Sequence, residues 1–176
     1  DSLCMQKETM ASIEASSLVA ELRASPDYVN VPAYLPSKPE EKQHGFTTHT
    51  LSGPSKLIVS PVVFQHASPA ATCILHLGRS LCGHYGIVHG GLVATVLDEM
   101  LARSAMPFLP GMTGFTANLN IDYRSPAVAD QLVVARSWPM GPLEGRKIRV
   151  KAELRSLKDG KLLAEATSVF VTPKKV

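Results

Sequence analysis

The residues with the clearest capacity for chemistry lie close together. His89, Gly90 and Gly91 stand in a row behind a loop that also holds Gly83, His84 and Gly86, and Asp98 follows nine residues after the histidine. Glycines at a helix start let a ligand approach bare backbone N–H groups, and that end of a helix favours negative charge. A carboxylate set in an apolar helix is costly to desolvate unless something answers it. An anion-friendly helix start and an acid two turns further on are therefore the candidate site, suited to stabilising developing negative charge and to taking up a proton.

These residues need a long helix to hold them. From Gly90 to Met106 the chain is rich in helix formers and apolar on nearly every face, which predicts a helix wrapped by the rest of its domain. Pro107 and Pro110-Gly111 stop it. Before the helix, Leu57–Val59 with Val62–Phe64 reads as one strand bent at Pro61, and Ala71–Leu77 as a second. After it come four more. Thr116–Tyr123 alternates, with Ala117, Leu119, Ile121 and Tyr123 on one face and Thr116, Asn118, Asn120 and Asp122 on the other. Gln131–Trp138 is uniformly apolar, Lys147–Arg155 is charged at every odd position, and Lys158–Lys161 turns the chain into Leu162–Val171. The fold class expected is α+β, an antiparallel sheet of five or six strands around one long central helix.

Residues 1–52 read as an extension: a helix through about Arg23 with Ile13, Leu18, Val19 and Leu22 as its apolar set, then a strap in which Pro26, Pro32, Pro36 and Pro39 disfavour regular structure. Residues 53–176 form the main domain. At 176 residues, 45% of them apolar, with a net charge of +3, the chain is long enough for one sizeable core and offers no compositional case for nucleic acid. Half of its 18 Lys and Arg residues follow Gly145, so a basic face lies towards the C-terminal end. Three cysteines, Cys4, Cys73 and Cys82, are odd in number and lack metal-type spacing, which favours a reducing compartment; the histidines add no ligand pattern, so no metal is expected. No apolar run reaches membrane-spanning length, because His89, Asp98, Glu99 and Arg103 interrupt the best one. Since the chain opens on Asp1, a targeting segment could precede it.

His89-Gly90-Gly91, Asp98 in a long apolar helix, and a following strand that ends Tyr123-Arg124-Ser125-Pro126 resemble the hotdog-fold thioesterases. The likeness is strongest to the phenylacetate-degradation (PaaI-like) type and the thioesterase superfamily members, over roughly residues 55–173. The resemblance implies hydrolysis of acyl-coenzyme A thioesters by a homodimer or a tetramer of dimers, with coenzyme A as part of the substrate and no other cofactor. It implies that Gly90 offers its N–H to the thioester carbonyl, that Asp98 is general base or nucleophile, that Thr116 orients water and that His89 fixes the loop. Substrate contacts are expected at Gly91, His84, Arg124, Ser125, Arg146 and Lys147, the basic ones towards coenzyme A phosphates. An intracellular setting, cytoplasmic or mitochondrial, is expected, in keeping with the cysteine usage.

One position departs from that pattern. Many such enzymes carry Asn six residues before the histidine; here Gly83 stands there, followed by His84. Either His84 takes over the polar role or the site works without it. A hydratase on the same fold would need an acid shortly before its histidine, and none precedes His84 or His89 within ten residues. A non-catalytic acyl-coenzyme A binder or dimerisation module is the alternative that Gly83 favours and Asp98 with Gly90 opposes. Geometry adds a constraint: eight residues of helix separate Gly90 from Asp98 by about 12 Å, too far to flank one carbonyl carbon, so a complete site is expected to need two subunits.

Overall fold

The computed structural model describes residues 2–174. In chain order its elements are helices α1 (Ser2–Glu14) and α2 (Ser17–Ala24), strand β1 (Tyr28–Val31), a one-turn helix α3 (Pro39–Gln43), strands β2 (Val62–His66) and β3 (Ala71–Leu77), and a small ribbon of β4 (Cys82–His84) and β5 (Ile87–Val88). The long helix α4 (Gly90–Ala105) follows, then β6 (Phe115–Tyr123), β7 (Gln131–Pro139), β8 (Lys147–Ser156) and β9 (Leu162–Val171). The main sheet is antiparallel throughout, in the order β1-β2-β3-β7-β8-β9-β6.

This is the expected α+β architecture. Six of the seven strands come from the region after residue 52, and the extension supplies the seventh. Between Pro26 and Pro32 four residues still reach the extended conformation and pair with β2 from Tyr28–His66 to Val31–Val63. Prolines at both ends of an edge strand remove no ladder bond that a neighbour needs. The single N-terminal helix expected from the sequence is broken at Ala15–Ser16 into α1 and α2. Its apolar set nevertheless packs as one group: Ile13, Val19 and Leu22 cover Phe64 and Ile74 on the face of the sheet opposite α4. Leu57–Val59 is no strand; Leu57 makes a lone bridge to Ser52, and Pro61 separates it from β2.

Helix α4 lies across the concave face. Leu92, Val93, Val96, Leu97, Met100 and Leu101 are buried against Ala135, Ile148, Val150, Leu154, Ala164 and Phe170. The helix is not wrapped all round. Gly91, Ala94, Thr95, Asp98, Glu99 and Ala102 form a stripe at helical spacing that keeps contact with solvent. A single sheet curls over one side of a helix only, and this second side, built largely of small residues, is left open.

Strand β6 is the last in the sheet and has one free edge. Its alternation holds from Asn118 onward and fails before it. A bulge at Ala117 lets Thr116 pair with Phe170 while Asn118 pairs with the next residue, Val169. Opposed residues share a face, and Phe170 is buried in the core, so Thr116 faces α4 rather than away from it. The buried Ser168 hydroxyl donates to the Asn118 carbonyl at 2.5 Å and holds the bulge.

Candidate functional site

At the start of α4 the first-turn donors can be accounted for one by one. His89 is the N-cap in extended conformation, and its carbonyl accepts from the N–H of Leu92 (2.9 Å) and Val93 (3.2 Å). Its Nδ1 accepts from the Gly91 N–H at 2.8 Å. Among the described residues only the Gly90 N–H of that turn has no partner. A helix N-terminus thus presents one free donor, at the residue expected to present it.

The imidazole of His89 explains two of the glycines around it. A Cβ on Gly83 would stand 2.9 Å from His89 Cδ2, and one on Gly91 3.0 Å from Nδ1. The ring is seated between two bare backbones, and Gly83, at the bulge of the β4–β5 ribbon, is a requirement of that seat. We therefore expect Gly83→Asn to push the ring off its cap and free the Gly91 N–H. The cost should be about 1 kcal/mol, the usual worth of an N-cap, read as a shift in denaturation midpoint; an unchanged midpoint would mean that the ring relaxes without cost.

Tyr123 has no role assigned from the sequence beyond ending its strand, yet its hydroxyl donates to the Gly90 carbonyl at 2.8 Å and ties the turn to the end of β6. Around this turn lies a cavity of about 550 Å³ bordered by His84, His89, Gly90, Tyr123, Arg124 and Ser125. His84 is exposed at its rim. Arg124 is engaged by Glu165 (Nε, 3.2 Å) and Asp122 (Nη2, 3.4 Å). The Ser125 N–H donates to the Leu163 carbonyl at 3.1 Å.

The expected acid lies elsewhere. Asp98 is half-buried on the open stripe of α4, and Thr116 Oγ1 donates to its Oδ1 at 2.8 Å across the bulge. Neither residue borders the Gly90 cavity. Arg146 and Lys147 do not border it either: Arg146 Nη1 donates to the Thr172 carbonyl at 2.5 Å, and Lys147 is exposed opposite Val171, which also pairs with Phe115 at the start of β6. Within one chain the candidate residues fall into two groups, one around the free donor at the end of β6 and one around Asp98 at its start.

A second acid stands beside the first. Thr47 Oγ1 donates to Glu99 Oε1 at 3.4 Å. Glu99 reaches solvent, but it sits in a crowded hollow under the strap; this desolvation, and then the charge of Asp98, raise its pKa above the ordinary 4.5. A carboxyl with a folded pKa above its unfolded value makes stability fall as pH rises through that interval. Glu99→Gln should therefore melt higher than the parent at neutral pH, with the difference vanishing below pH 4.5. A variant that melts lower than the parent at neutral pH would contradict this.

A sheet curled over one long helix, with a free donor at the helix start and an acid on its open side, defines a hotdog fold of the thioesterase kind. The chain carries a Thioesterase superfamily hotdog domain, matched over residues 85–163. It is 35% identical to an uncharacterized mitochondrial protein of Candida albicans over 72% of this chain and 59% of that one. It is likewise 35% identical to the acyl-coenzyme A thioesterase THEM4 of Rattus norvegicus, over 61% of this chain and 45% of that one. The chain thus spans roughly half the length of these two relatives. A solved putative thioesterase from Ralstonia eutropha, related to phenylacetic acid degradation, superposes with a TM-score of 0.54 at 26% identity, covering 60% and 77% of the two chains.

Proposed function

We propose that the protein hydrolyses acyl-coenzyme A thioesters to free acid and coenzyme A, in a site that a second copy completes. The observation that carries this reading is the unpartnered Gly90 N–H at the start of a helix whose open side holds the Asp98–Thr116 pair. These two halves lie at opposite ends of β6, one of the two edge strands of the sheet. When a strand pairs antiparallel with its own copy across a two-fold axis, each start meets the other's end. The Gly90 half of one subunit then faces Asp98 of the partner subunit, and the stripe of α4 from Gly91 to Asp98 is covered, while Glu99 and Ala102 stay under the strap. The likeness to an acyl-coenzyme A thioesterase supports the substrate class, and the mitochondrial relative supports that compartment.

In the reaction the thioester carbonyl oxygen accepts the Gly90 hydrogen bond, which strengthens as negative charge develops on attack. Asp98, held by the Thr116 hydroxyl, takes a proton from water as its oxygen bonds to the carbonyl carbon. The carbon–sulfur bond then breaks and the thiolate of coenzyme A receives that proton. His89 and Tyr123 position the donor. Arg124, and Lys147 of the partner subunit, serve the phosphates of coenzyme A, whereas Arg146 with its carbonyl partner holds the end of β8.

Gly83 leaves room for the His89 ring, which gives its lack of a side chain a reason other than an inert site. Thiol release from a panel of acyl-coenzyme A esters is the direct test. Turnover supports hydrolysis, whereas tight binding without release would leave the binding-module reading in its place.

A further inference from the structure

A second cavity, of about 980 Å³, lies between the strap and the C-terminal half of α4. We infer that it houses the acyl tail of the thioester, and that strap residues on its wall set the chain length accepted. This rests on the thioesterase reading above.

Position is the first argument. Glu99 and Ala102 on the cavity wall lie one residue and one turn beyond Asp98, and Met112, also on the wall, precedes Thr116 by four residues. The cavity is therefore reached from the Asp98–Thr116 pair along both the helix and the loop that enters β6. An acyl carbon held beside Asp98 has this space next to it.

The wall is the second argument. Its charged groups are already engaged: the Arg103 guanidinium donates to the Pro32 carbonyl (3.2 Å) and to the Ala33 carbonyl, and Glu99 accepts from Thr47. The apolar part of the wall is Ala33, Leu35, Ala102, Met106, Pro107 and Met112, and Ser37, Thr48, Gln65 and His66 line its outer part. Methionines adapt to a flexible hydrocarbon. A blind pocket of about 50 Å³ shares Tyr34, Glu99 and Arg103 with the cavity and runs to Val96, Met100 and Cys73 in the core. Burial there pushes both the Tyr34 hydroxyl and the Cys73 thiol up to about 12. Beyond Tyr34, Thr47, Glu99 and Arg103 the pocket is lined by Leu57, Val63, Cys73, Leu75, Val96 and Met100, against which a hydroxylated or dicarboxylic acyl group would lose its water. The volume is at the upper end for sites that enclose a small molecule. An unbranched saturated chain fits this chemistry.

The strap is the third. Pro32–Leu35 and Thr47 lie outside residues 85–163, so the roof belongs to this chain's own extension rather than to the segment matched by the superfamily.

The test uses the full chain and saturated esters from butyryl- to lauroyl-coenzyme A. Parent kcat/KM should rise with chain length. Ala102→Phe, which fills the floor, should lower the lauroyl-to-butyryl ratio of kcat/KM at least about tenfold, the scale of losing a few methylene contacts. Met112→Glu, on an exposed loop where folding is not at risk, should move the ratio the same way. An unchanged ratio in both variants overturns the inference. If the parent releases no thiol from any ester, the thioesterase reading fails separately and calorimetric affinity decides: tighter binding of lauroyl- than butyryl-coenzyme A, lost in Met112→Glu, sustains the cavity assignment, and equal affinities overturn it.

Discussion

Asp98→Asn should fold like the parent and lose at least about a hundredfold in kcat on its best acyl-coenzyme A ester, the scale of a lost general base. The variant keeps the shape of the side chain and can still accept the Thr116 hydrogen bond through its amide oxygen, so the hydroxyl at 2.8 Å is not orphaned. What is removed is the charge that takes the proton from water. Thr116→Ala should cost less, about tenfold, because it removes only one hydrogen bond to that carboxylate. Thiol release under saturating ester, with circular dichroism as the folding control, measures both. If Asp98→Asn turns over at the parent rate while binding substrate normally, the carboxylate has no part in the reaction.

Gly90→Pro is the corresponding change in the donor half, and the local backbone makes it unusually clean. Gly90 is the first residue of α4, where proline is tolerated because that N–H has no helical partner. His89 before it has ψ of 133°, the extended value that a residue preceding proline prefers. A Cβ on Gly90 would meet only the Tyr123 ring, at an ordinary 3.4 Å. The substitution deletes the one free donor of the turn, and loss of an oxyanion donor costs roughly a hundred- to a thousandfold in kcat. Mixing this variant with Asp98→Asn then tests the shared site. Each mixed dimer has one site with both an intact donor and an intact acid. After random exchange of equal amounts about a quarter of all sites should be active, as two-fold symmetry dictates. No recovery after verified exchange would mean that both residues serve a site within one subunit.

The sequence made the helix and its two chemical ends legible because each is a local property. Glycines punctuate the start of α4, prolines its end, and Asp98 interrupts an apolar run. Strands β3 and β9 could be bounded correctly for the same reason, since hydrophobic patterning and the Lys158–Lys161 turn mark their limits. The misplaced features depend on pairing. Strict alternation put Thr116 on the outer face, and only its opposition to Phe170 across the Ala117 bulge turns it towards Asp98. Strand β1 has no pattern of its own between two prolines; β2 recruits it. The hold of Arg103 on the strap joins residues seventy apart in the chain, and nothing in the local sequence announces it. Tyr123 was visible as the end of a strand, but its hydroxyl finds Gly90 only in the folded chain.

The seat of His89 between Gly83 and Gly91 also constrains how the loop can diverge. A side chain at position 83 and a ring at position 89 compete for one space, so the effect of changing either depends on the other. Introducing Asn at 83 first disturbs the cap; exchanging His89 for a small capping residue such as Ser first vacates the space and makes the later step nearly free. The two substitutions are accessible in one order and obstructed in the other. A related loop that carries Asn at the first position and keeps the histidine at the second must therefore hold the two backbones further apart than they stand here, whatever ester it accepts.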